Sequence, residues 1–224
     1  MAPFATIYAY PDNPRVKRAQ VIAALNGLEL HVPGPDEWQF GVANQAPEWK
    51  AKFPLGKVPA METADGLRVT EGGAICAHIA GSGPLADQLL GKTVAERSLV
   101  WRWSLFADSE LVGSVIPVLI GYVFKLAPAN PAAHDAAAAG LQRALVALDA
   151  EFKDGKAFLV GDKLSMADVM VGGALFFAAG FMLDEEMAKA APNVVKYMAG
   201  LSTIPEIKNV FGEWKPTAVR IPKE

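Results

Sequence analysis

The segment from Phe53 to Ile75, FPLGKVPAMETADGLRVTEGGAI, places a proline, a hairpin and a helix start in immediate succession. Pro59 has no amide hydrogen to give to a strand ladder, so it belongs at the first residue or the edge of a strand. Asp65-Gly66 is a strong turn signal between two short apolar stretches. Glu71 stands at a helix start, where the macrodipole favours an acid. This order predicts a strand hairpin that leads directly into a helix.

The same segment has the features of a binding site for a peptide-like ligand. If the Val58–Pro59 bond is cis, the N–H and C=O groups of Val58 turn outward and can pair with an extended molecule. A few residues later, the N–H groups of Gly72 and Gly73 lie at a helix start, where a carboxylate binds readily. The sequence therefore predicts a cradle for a small peptide-like molecule.

The residues before this segment predict a strand–helix–strand unit. Residues 4–10 have a strand pattern, residues 15–26 have a helical apolar face that ends at Asn-Gly, and residues 28–32 alternate as a second strand. Such a unit makes its two strands parallel. With a short helix at 46–53, the hairpin and its helix, the element order is that of the thioredoxin arrangement, which we predict for residues 1–81.

Beyond a linker predicted at 82–92, the pattern from 93 to 224 is entirely helical. Residues 95–124 predict one long helix or two, with Pro117 inside it as a kink rather than an end. Ser165 is predicted to cap a buried helix that extends to about residue 181, with Asp168 at its third position. The remaining predicted helices are 132–152, 192–201 and 204–211, and the last ten residues are predicted to form a tail. The fold class is therefore an α/β domain followed by an all-α domain.

Four blocks of the chain, in this order, resemble the glutathione transferase superfamily. They are APEWKAKFPLGKVPA, the E-x-x-A-I helix start, WSLFADSELV and FLVGDKLSMADV. Together they are most similar to the transferase-like domain of the gamma subunit of translation elongation factor one. The resemblance implies the glutathione transferase fold, with a thioredoxin-like glutathione-binding domain and an all-helical domain that contributes a co-substrate cleft between the two.

The resemblance also implies roles for five residues in glutathione binding. Val58, held by Pro59, would pair with the middle of the tripeptide through its backbone. Glu71 would bind the γ-glutamyl ammonium, the Gly72 N–H the adjacent carboxylate, and Lys57 either carboxylate. Relatives usually have serine where this chain has Gly72. The missing hydroxyl costs about 1.5–3 kcal/mol if it donates to a charged group, and backbone donors soften that loss.

The group that faces the glutathione sulfur has three candidates in the sequence. By resemblance it lies between the first strand and the first helix, where Asn13 occupies the position of the serine in related transferases. An amide N–H can hydrogen-bond a thiolate, and the helix start adds a positive dipole end. Tyr8 and Tyr10 are rival donors on one face of the first strand. Each candidate also has an ordinary structural reading, Asn13 as a turn residue and the tyrosines as core.

Several other kinds of chemistry are disfavoured by the sequence. Cys76 is the only cysteine, so an internal disulfide is excluded and a reducing compartment fits. The net charge of −3, with interspersed signs, gives no electrostatic case for nucleic acid. The longest uncharged runs, 111–124 and 169–183, are shorter than the roughly 20 residues that span a bilayer. The three histidines show no metal-ligand spacing; they are His31, His78 and His134.

Two functions from different classes remain open. The first is a cytoplasmic, homodimeric glutathione transferase that adds glutathione to small hydrophobic electrophiles in detoxification, with glutathione as co-substrate and no metal. The second is a non-catalytic scaffold of the elongation-factor-gamma type, which assembles with translation elongation factor subunits. Ser165 and Asp168 resemble the folding box of the superfamily and are expected to be structural. Most of the following aromatic residues are expected to be core: Trp101, Trp103, Phe106, Phe176, Phe177 and Phe181.

Overall fold

The computed structural model describes residues 2–223, and the chain divides into two compact units between Leu90 and Gly91. The first unit combines a β-sheet with helices. The second unit is built from helices and their connections. The predicted fold class, an α/β domain followed by an all-α domain, is confirmed.

The first unit contains a four-stranded sheet with the order β2-β1-β3-β4. β1 and β2 are parallel, whereas β3 is antiparallel to both β1 and β4, so the predicted strand–helix–strand unit and hairpin are both present. The strands are shorter than the sequence pattern suggested. The elements are β1 Ala5–Tyr8, α1 Pro14–Leu25, β2 Leu30–His31, α2 Pro47–Lys52, β3 Ala60–Thr63, β4 Arg68–Thr70, α3 Gly72–Gly81 and α4 Ala86–Leu90.

The strand register brings three connections to one end of the sheet. Tyr8, the last residue of β1, pairs with Ala60, the first residue of β3. Ala60 also pairs with Thr70, the last residue of β4. Three segments therefore meet side by side at this end of the sheet: the loop after β1, the loop before β3 and the start of α3. Residues that lie fifty or more positions apart in sequence become neighbours at this edge.

Asn26 joins three helices of the first unit. Its side-chain amide donates to the carbonyls of Ile79 and Ala80 at the end of α3, and its oxygen accepts the N–H of Leu85 just before α4. Asn26 is buried, so these bonds satisfy groups that water does not reach. As a result, the segment 82–92, predicted to be a linker, contains the helix α4 packed against α3.

The second unit begins with a continuous helix from Val94 to Val123. It comprises α5 Val94–Phe106, a π-helical segment Ala107–Val112, α6 Gly113–Val118 and a second π-helical segment Leu119–Val123. As predicted, the helix continues past Pro117. The following helices are α7 Pro131–Glu151, α8 Met166–Ala179, α9 Glu185–Lys189, α10 Pro192–Leu201 and α11 Pro205–Phe211.

Of the described residues, only the helix Val94–Val123 is long and apolar enough to cross a membrane by length and composition. Asp108 and Glu110 interrupt its apolar stretch, which is why uncharged runs alone do not reveal its length. The helix packs against α7 and α8, and residues such as Leu111 and Val115 are fully buried there. Burial of this kind is what the core of a helical domain requires.

The carboxylate of Asp168 organises the start of α8. It is fully buried and accepts hydrogen bonds from the Leu159 N–H, from the N–H and hydroxyl of Ser165, and from the Tyr197 hydroxyl. Burial raises the pKa of this carboxyl above its usual range, and the four hydrogen bonds oppose the rise. The predicted pairing of Ser165 with Asp168 is confirmed, and it extends to α10 through Tyr197.

Of the last ten residues, predicted to be a tail, the structure describes 215–223, and Glu224 lies outside the described residues. Residues 215–223 are held against the helices of the second unit. The His134 imidazole donates to the Ile221 carbonyl at 2.7 Å, and Arg220 forms an ion pair with Asp184 at 2.6 Å. The Ile221 N–H donates to the Phe181 carbonyl. The segment has little periodicity because its backbone bonds to helix ends rather than to itself, so the sequence pattern alone did not indicate this docking.

We predict that Asp168→Ala destabilises the protein by about 3–5 kcal/mol, because it leaves several buried donors without an acceptor. Urea denaturation would measure the loss. The matched control is Asp162→Ala in the same connection, where the side chain is exposed and the change should stay within about 0.5 kcal/mol. A loss below about 1 kcal/mol for Asp168→Ala would show that the hydrogen bonds of the Asp168 carboxylate do not stabilise the fold.

Candidate active site

A cavity of 590 Å³ opens at the end of the sheet where the three connections meet. The β1–α1 connection, the loop before β3 and the start of α3 all contribute to its wall. Its volume is within the range of small-molecule sites. Its lining residues include Tyr10, Arg15, Phe40, Asn44, Lys57, Val58, Pro59, Glu71 and Gly72.

The loop before β3 is held in place by a buried asparagine. The Asn44 amide donates to the Gly56 carbonyl at 2.7 Å, and its oxygen accepts the Gly41 N–H at 2.6 Å. Gly56 has a φ of 58°, and a Cβ there would stand 2.9 Å from the Asn44 carbonyl oxygen. Only glycine fits this approach. The Val58–Pro59 peptide bond that follows is cis, which is the conformation assumed above for the pairing of Val58 with a ligand.

The backbone at the start of α3 has an unusual conformation. Glu71 has a φ of 66° and a ψ of 121°, although it is not glycine. Positive φ is uncommon for such residues, and these conformations cluster at ligand sites, where the surroundings enforce them. The Glu71 side chain is exposed and lines the cavity, and Gly72 beside it is buried.

Three charged side chains line the cavity without partners. They are Arg15, which is half-buried, and the exposed Lys57 and Glu71. Within residues 2–223 the structure assigns no ion pair or side-chain hydrogen bond to any of the three. By contrast, Lys52 and Arg68 nearby both form ion pairs with Glu62. The cavity therefore offers two positive groups and one negative group to a ligand.

Of the three predicted sulfur donors, only Tyr10 lines this cavity. Its ring packs against Phe40, with 5.5 Å between the ring centroids, and the two rings form part of an apolar wall. Burial raises the pKa of the Tyr10 hydroxyl above its usual value, and the Arg15 charge opposes the rise. Tyr10 therefore stays protonated at neutral pH and can donate a hydrogen bond.

Tyr8 lies in an aromatic cluster and not in the cavity lining. Its ring centroid is 4.9 Å from that of Trp49 and 5.6 Å from that of Trp38. Burial and the neighbouring Glu62 raise the pKa of its hydroxyl. Tyr8 therefore has a packing role, which the sequence allowed as the alternative to a catalytic role.

Asn13 is the N-cap of α1. Its side-chain oxygen accepts the N–H groups of Arg15, at 2.9 Å, and Val16, at 3.4 Å. Its amide nitrogen is buried and has no hydrogen-bond partner among the described residues. Asn13 is 2% exposed and lines a separate cavity of 130 Å³ behind the β1–α1 connection.

The structure therefore brings together all five predicted glutathione-binding residues: Lys57, Val58, Pro59, Glu71 and Gly72. Arg15, Asn44 and Phe40 also line the cavity and were not predicted from the sequence. Arg15 directly follows the proline that opens α1, which was the only local signal of its position. The described residues contain no group of three or more His, Cys, Asp or Glu side chains that could hold a metal ion.

The chain is similar in sequence to known proteins over most of its length. Residues 4–81 match the glutathione S-transferase N-terminal domain, and residues 131–200 match the glutathione S-transferase C-terminal domain. A glutathione S-transferase-like protein from a Fusarium species is 38% identical over 212 residues, which are 95% of this chain and 94% of that protein. The chain belongs to the glutathione S-transferase family.

Within this family the chain is similar to two kinds of protein. Elongation factor 1-gamma-A of Xenopus laevis is 34% identical over 214 residues, which are 94% of this chain but only 47% of that protein. The glutathione S-transferase-like domain of elongation factor 1-gamma from Saccharomyces cerevisiae has the same fold, with a TM-score of 0.80, 20% identity and 99% of each chain covered.

A glutathione transferase of Phanerochaete chrysosporium in complex with oxidized glutathione also shares the fold. Its TM-score is 0.80 at 22% identity, with 93% of this chain and 95% of that chain covered. At this identity the likeness establishes the fold alone. Glutathione is thus a ligand of a protein with the same fold.

We predict that Asn13→Ala lowers the stability of the protein by about 1 kcal/mol, because α1 loses its cap. Thermal or urea unfolding would measure the change. Asn13→Asp is the matched control, because a carboxylate accepts the same two N–H groups and should keep most of the stability. An equal loss of stability in both variants would show that Asn13 does not stabilise the protein by capping α1.

Proposed function

We propose that this protein is a cytoplasmic glutathione transferase that joins the glutathione sulfur to small hydrophobic electrophiles. The observation that carries the proposal is the set of unpaired charges around the cavity. Glutathione has two carboxylates and one ammonium, and the cavity has two cations and one carboxylate, from Arg15, Lys57 and Glu71. Charge complementarity of this kind selects and orients a ligand.

The remaining contacts follow from the shape of glutathione as an extended tripeptide. The Glu71 carboxylate binds the γ-glutamyl ammonium, and the Gly72 N–H binds the adjacent carboxylate. Lys57 binds the glycine carboxylate at the other end. The backbone of Val58, beside the cis-Pro59 bond, pairs with the central cysteinyl residue. The apolar wall that includes Phe40 then lies beside the sulfur and its acceptor.

The chemistry requires the thiolate form of glutathione. A free thiol has a pKa near 8.5, so only a few per cent is ionised at neutral pH. The thiol loses its proton to solvent, and the Tyr10 hydroxyl donates a hydrogen bond to the sulfur and stabilises the thiolate. The thiolate then attacks the electrophilic carbon. A carbon–sulfur bond forms, and the leaving group departs with its electron pair. One neutral donor contributes about 1 kcal/mol, so we expect modest activation of the thiol.

We predict that the protein binds glutathione with a dissociation constant between micromolar and low millimolar, measured by isothermal titration calorimetry. Glu71→Gln should weaken binding about 10- to 100-fold, because the ammonium loses a charged partner. Glu48→Gln is the control, since Glu48 is exposed on α2 and does not line the cavity. The absence of binding to the unmodified protein would contradict the proposal.

The role of Tyr10 can be tested separately, by following thiolate absorbance against pH with bound glutathione. We predict that Tyr10→Phe raises the pKa of the bound thiol towards that of free glutathione by less than one unit. Asn13→Ala and Tyr8→Phe are the comparison variants and should leave it unchanged. A rise in Asn13→Ala but not in Tyr10→Phe would assign the sulfur donor to Asn13.

A second function is favoured by the similarity to elongation factor 1-gamma. A scaffold of that type would keep the fold and a weakened glutathione site while serving protein assembly with elongation factor subunits. Conjugation of glutathione to chlorodinitrobenzene, compared with the uncatalysed rate, separates the two. Binding without acceleration would favour the scaffold. The expected homodimer is tested independently by sedimentation equilibrium.

A further inference from the structure

The side chain of Arg15 lies directly over Gly72. A Cβ placed on Gly72 would stand 3.2 Å from Arg15 Cβ, 3.3 Å from Cγ and 3.2 Å from Cδ. Real Cβ atoms rarely have contacts this short. A side chain at position 72 would therefore press against the stem of Arg15, which would have to shift by a few tenths of an ångström to admit it.

This packing places the guanidinium group at the start of α3. The stem runs across Gly72 as far as Cδ. The guanidinium nitrogens follow one bond further along (Nε) and three bonds further along (Nη1 and Nη2). Arg15 also lines the cavity, and within residues 2–223 its guanidinium has no ion-pair partner. The free N–H groups at the start of α3 lie at the positive end of that helix. Two different kinds of donor for an anion thus meet at Gly72.

We infer that Arg15 binds the α-carboxylate of the γ-glutamyl residue, together with the Gly72 N–H. We infer also that position 72 is glycine because a side chain there displaces Arg15. The inference rests on the proposed function, since it assigns one contact of glutathione. A guanidinium binds a carboxylate in a planar, two-pronged arrangement that an ammonium cannot reproduce. Arg15 thereby takes the place of the serine hydroxyl that related transferases have at position 72.

The assignment divides glutathione into two separately recognised ends. Arg15, Glu71 and the Gly72 N–H hold the amino-acid end of the γ-glutamyl residue, whereas Lys57 holds the glycine end. γ-Glutamylcysteinamide has the first end and lacks both the glycine and any carboxylate in its place. It is therefore a probe that distinguishes the two cations of the cavity, and S-methylation of both ligands removes the contribution of the thiol.

The experiment measures calorimetric binding of S-methylglutathione and S-methyl-γ-glutamylcysteinamide. We expect Arg15→Met to weaken both ligands by about 10- to 100-fold. Lys57→Met is the matched control and should weaken only S-methylglutathione. Arg15→Lys, which keeps the charge but not the planar group, should fall between Arg15→Met and the unmodified protein. It serves as the test if Arg15→Met fails to fold.

A double-mutant cycle tests the link to Gly72. Gly72→Ala adds a methyl group without a hydroxyl, so it should weaken binding several-fold when Arg15 is present. In the Arg15→Met background the same change should cost almost nothing further, because the displaced group is already absent. Additive losses would overturn the link between the two residues.

The outcomes separate this inference from the proposed function. If the unmodified protein binds neither ligand, the proposed function fails and the inference fails with it. If it binds both and Arg15→Met binds them equally well, the proposed function stands and the inference is wrong. A loss in Arg15→Met that is confined to S-methylglutathione would assign Arg15 to the glycine carboxylate and would also overturn the inference.

Discussion

The pairing of β3 with β1 and β4 is the constraint on which the site depends. Because Tyr8 faces Ala60 and Ala60 faces Thr70, the ends of three strands coincide. A shift of one residue in this register would turn every side chain of β3 to the other face of the sheet. The buried residues Ile7 and Met61, which pair across β1 and β3, specify the register through the core. The same apolar contacts that stabilise the first unit therefore also set the position of the site.

Much of the site is made by backbone rather than by side chains. The Asn44 side chain binds the loop at the Gly56 carbonyl, the Val58–Pro59 bond is cis, and Glu71 has a positive φ at the start of α3. Backbone groups held in this way lose little conformational freedom when a ligand binds, so more of the interaction energy appears as affinity. The charged side chains then add selectivity for a ligand with two carboxylates and one ammonium.

The sequence revealed those parts of the site that are encoded locally. Pro59 and Glu71 stand at the two ends of one hairpin, so a short segment was enough to place them together. Arg15 was missed because its decisive contact is with Gly72, a neighbour only after the sheet has formed. Asn44 was missed because the carbonyl that it fixes, at Gly56, lies across a loop without periodicity.

In the second unit, too, contacts between residues close in sequence could be predicted, whereas contacts between distant residues could not. Ser165 and Asp168 are three residues apart, and their pairing could be read from the sequence, whereas the Tyr197 hydroxyl that joins them comes from another helix. The C-terminal segment has no repeating apolar pattern, and its docking depends on His134 and Asp184 far from it in sequence. Asn13 was compatible with two roles from sequence, and only the three-dimensional position of its side-chain oxygen shows the cap.

The central claim is that this edge of the sheet is the glutathione site. The most direct test is an NMR titration of the isotopically labelled protein with glutathione, following the backbone amide resonances. We expect the largest changes on three segments: 10–15, 56–58 and 70–73. The second unit's 320 Å³ cavity, around Lys153 and Lys196, should show no change and serves as the internal reference. Changes concentrated at that cavity, or none at the three segments, would contradict the account.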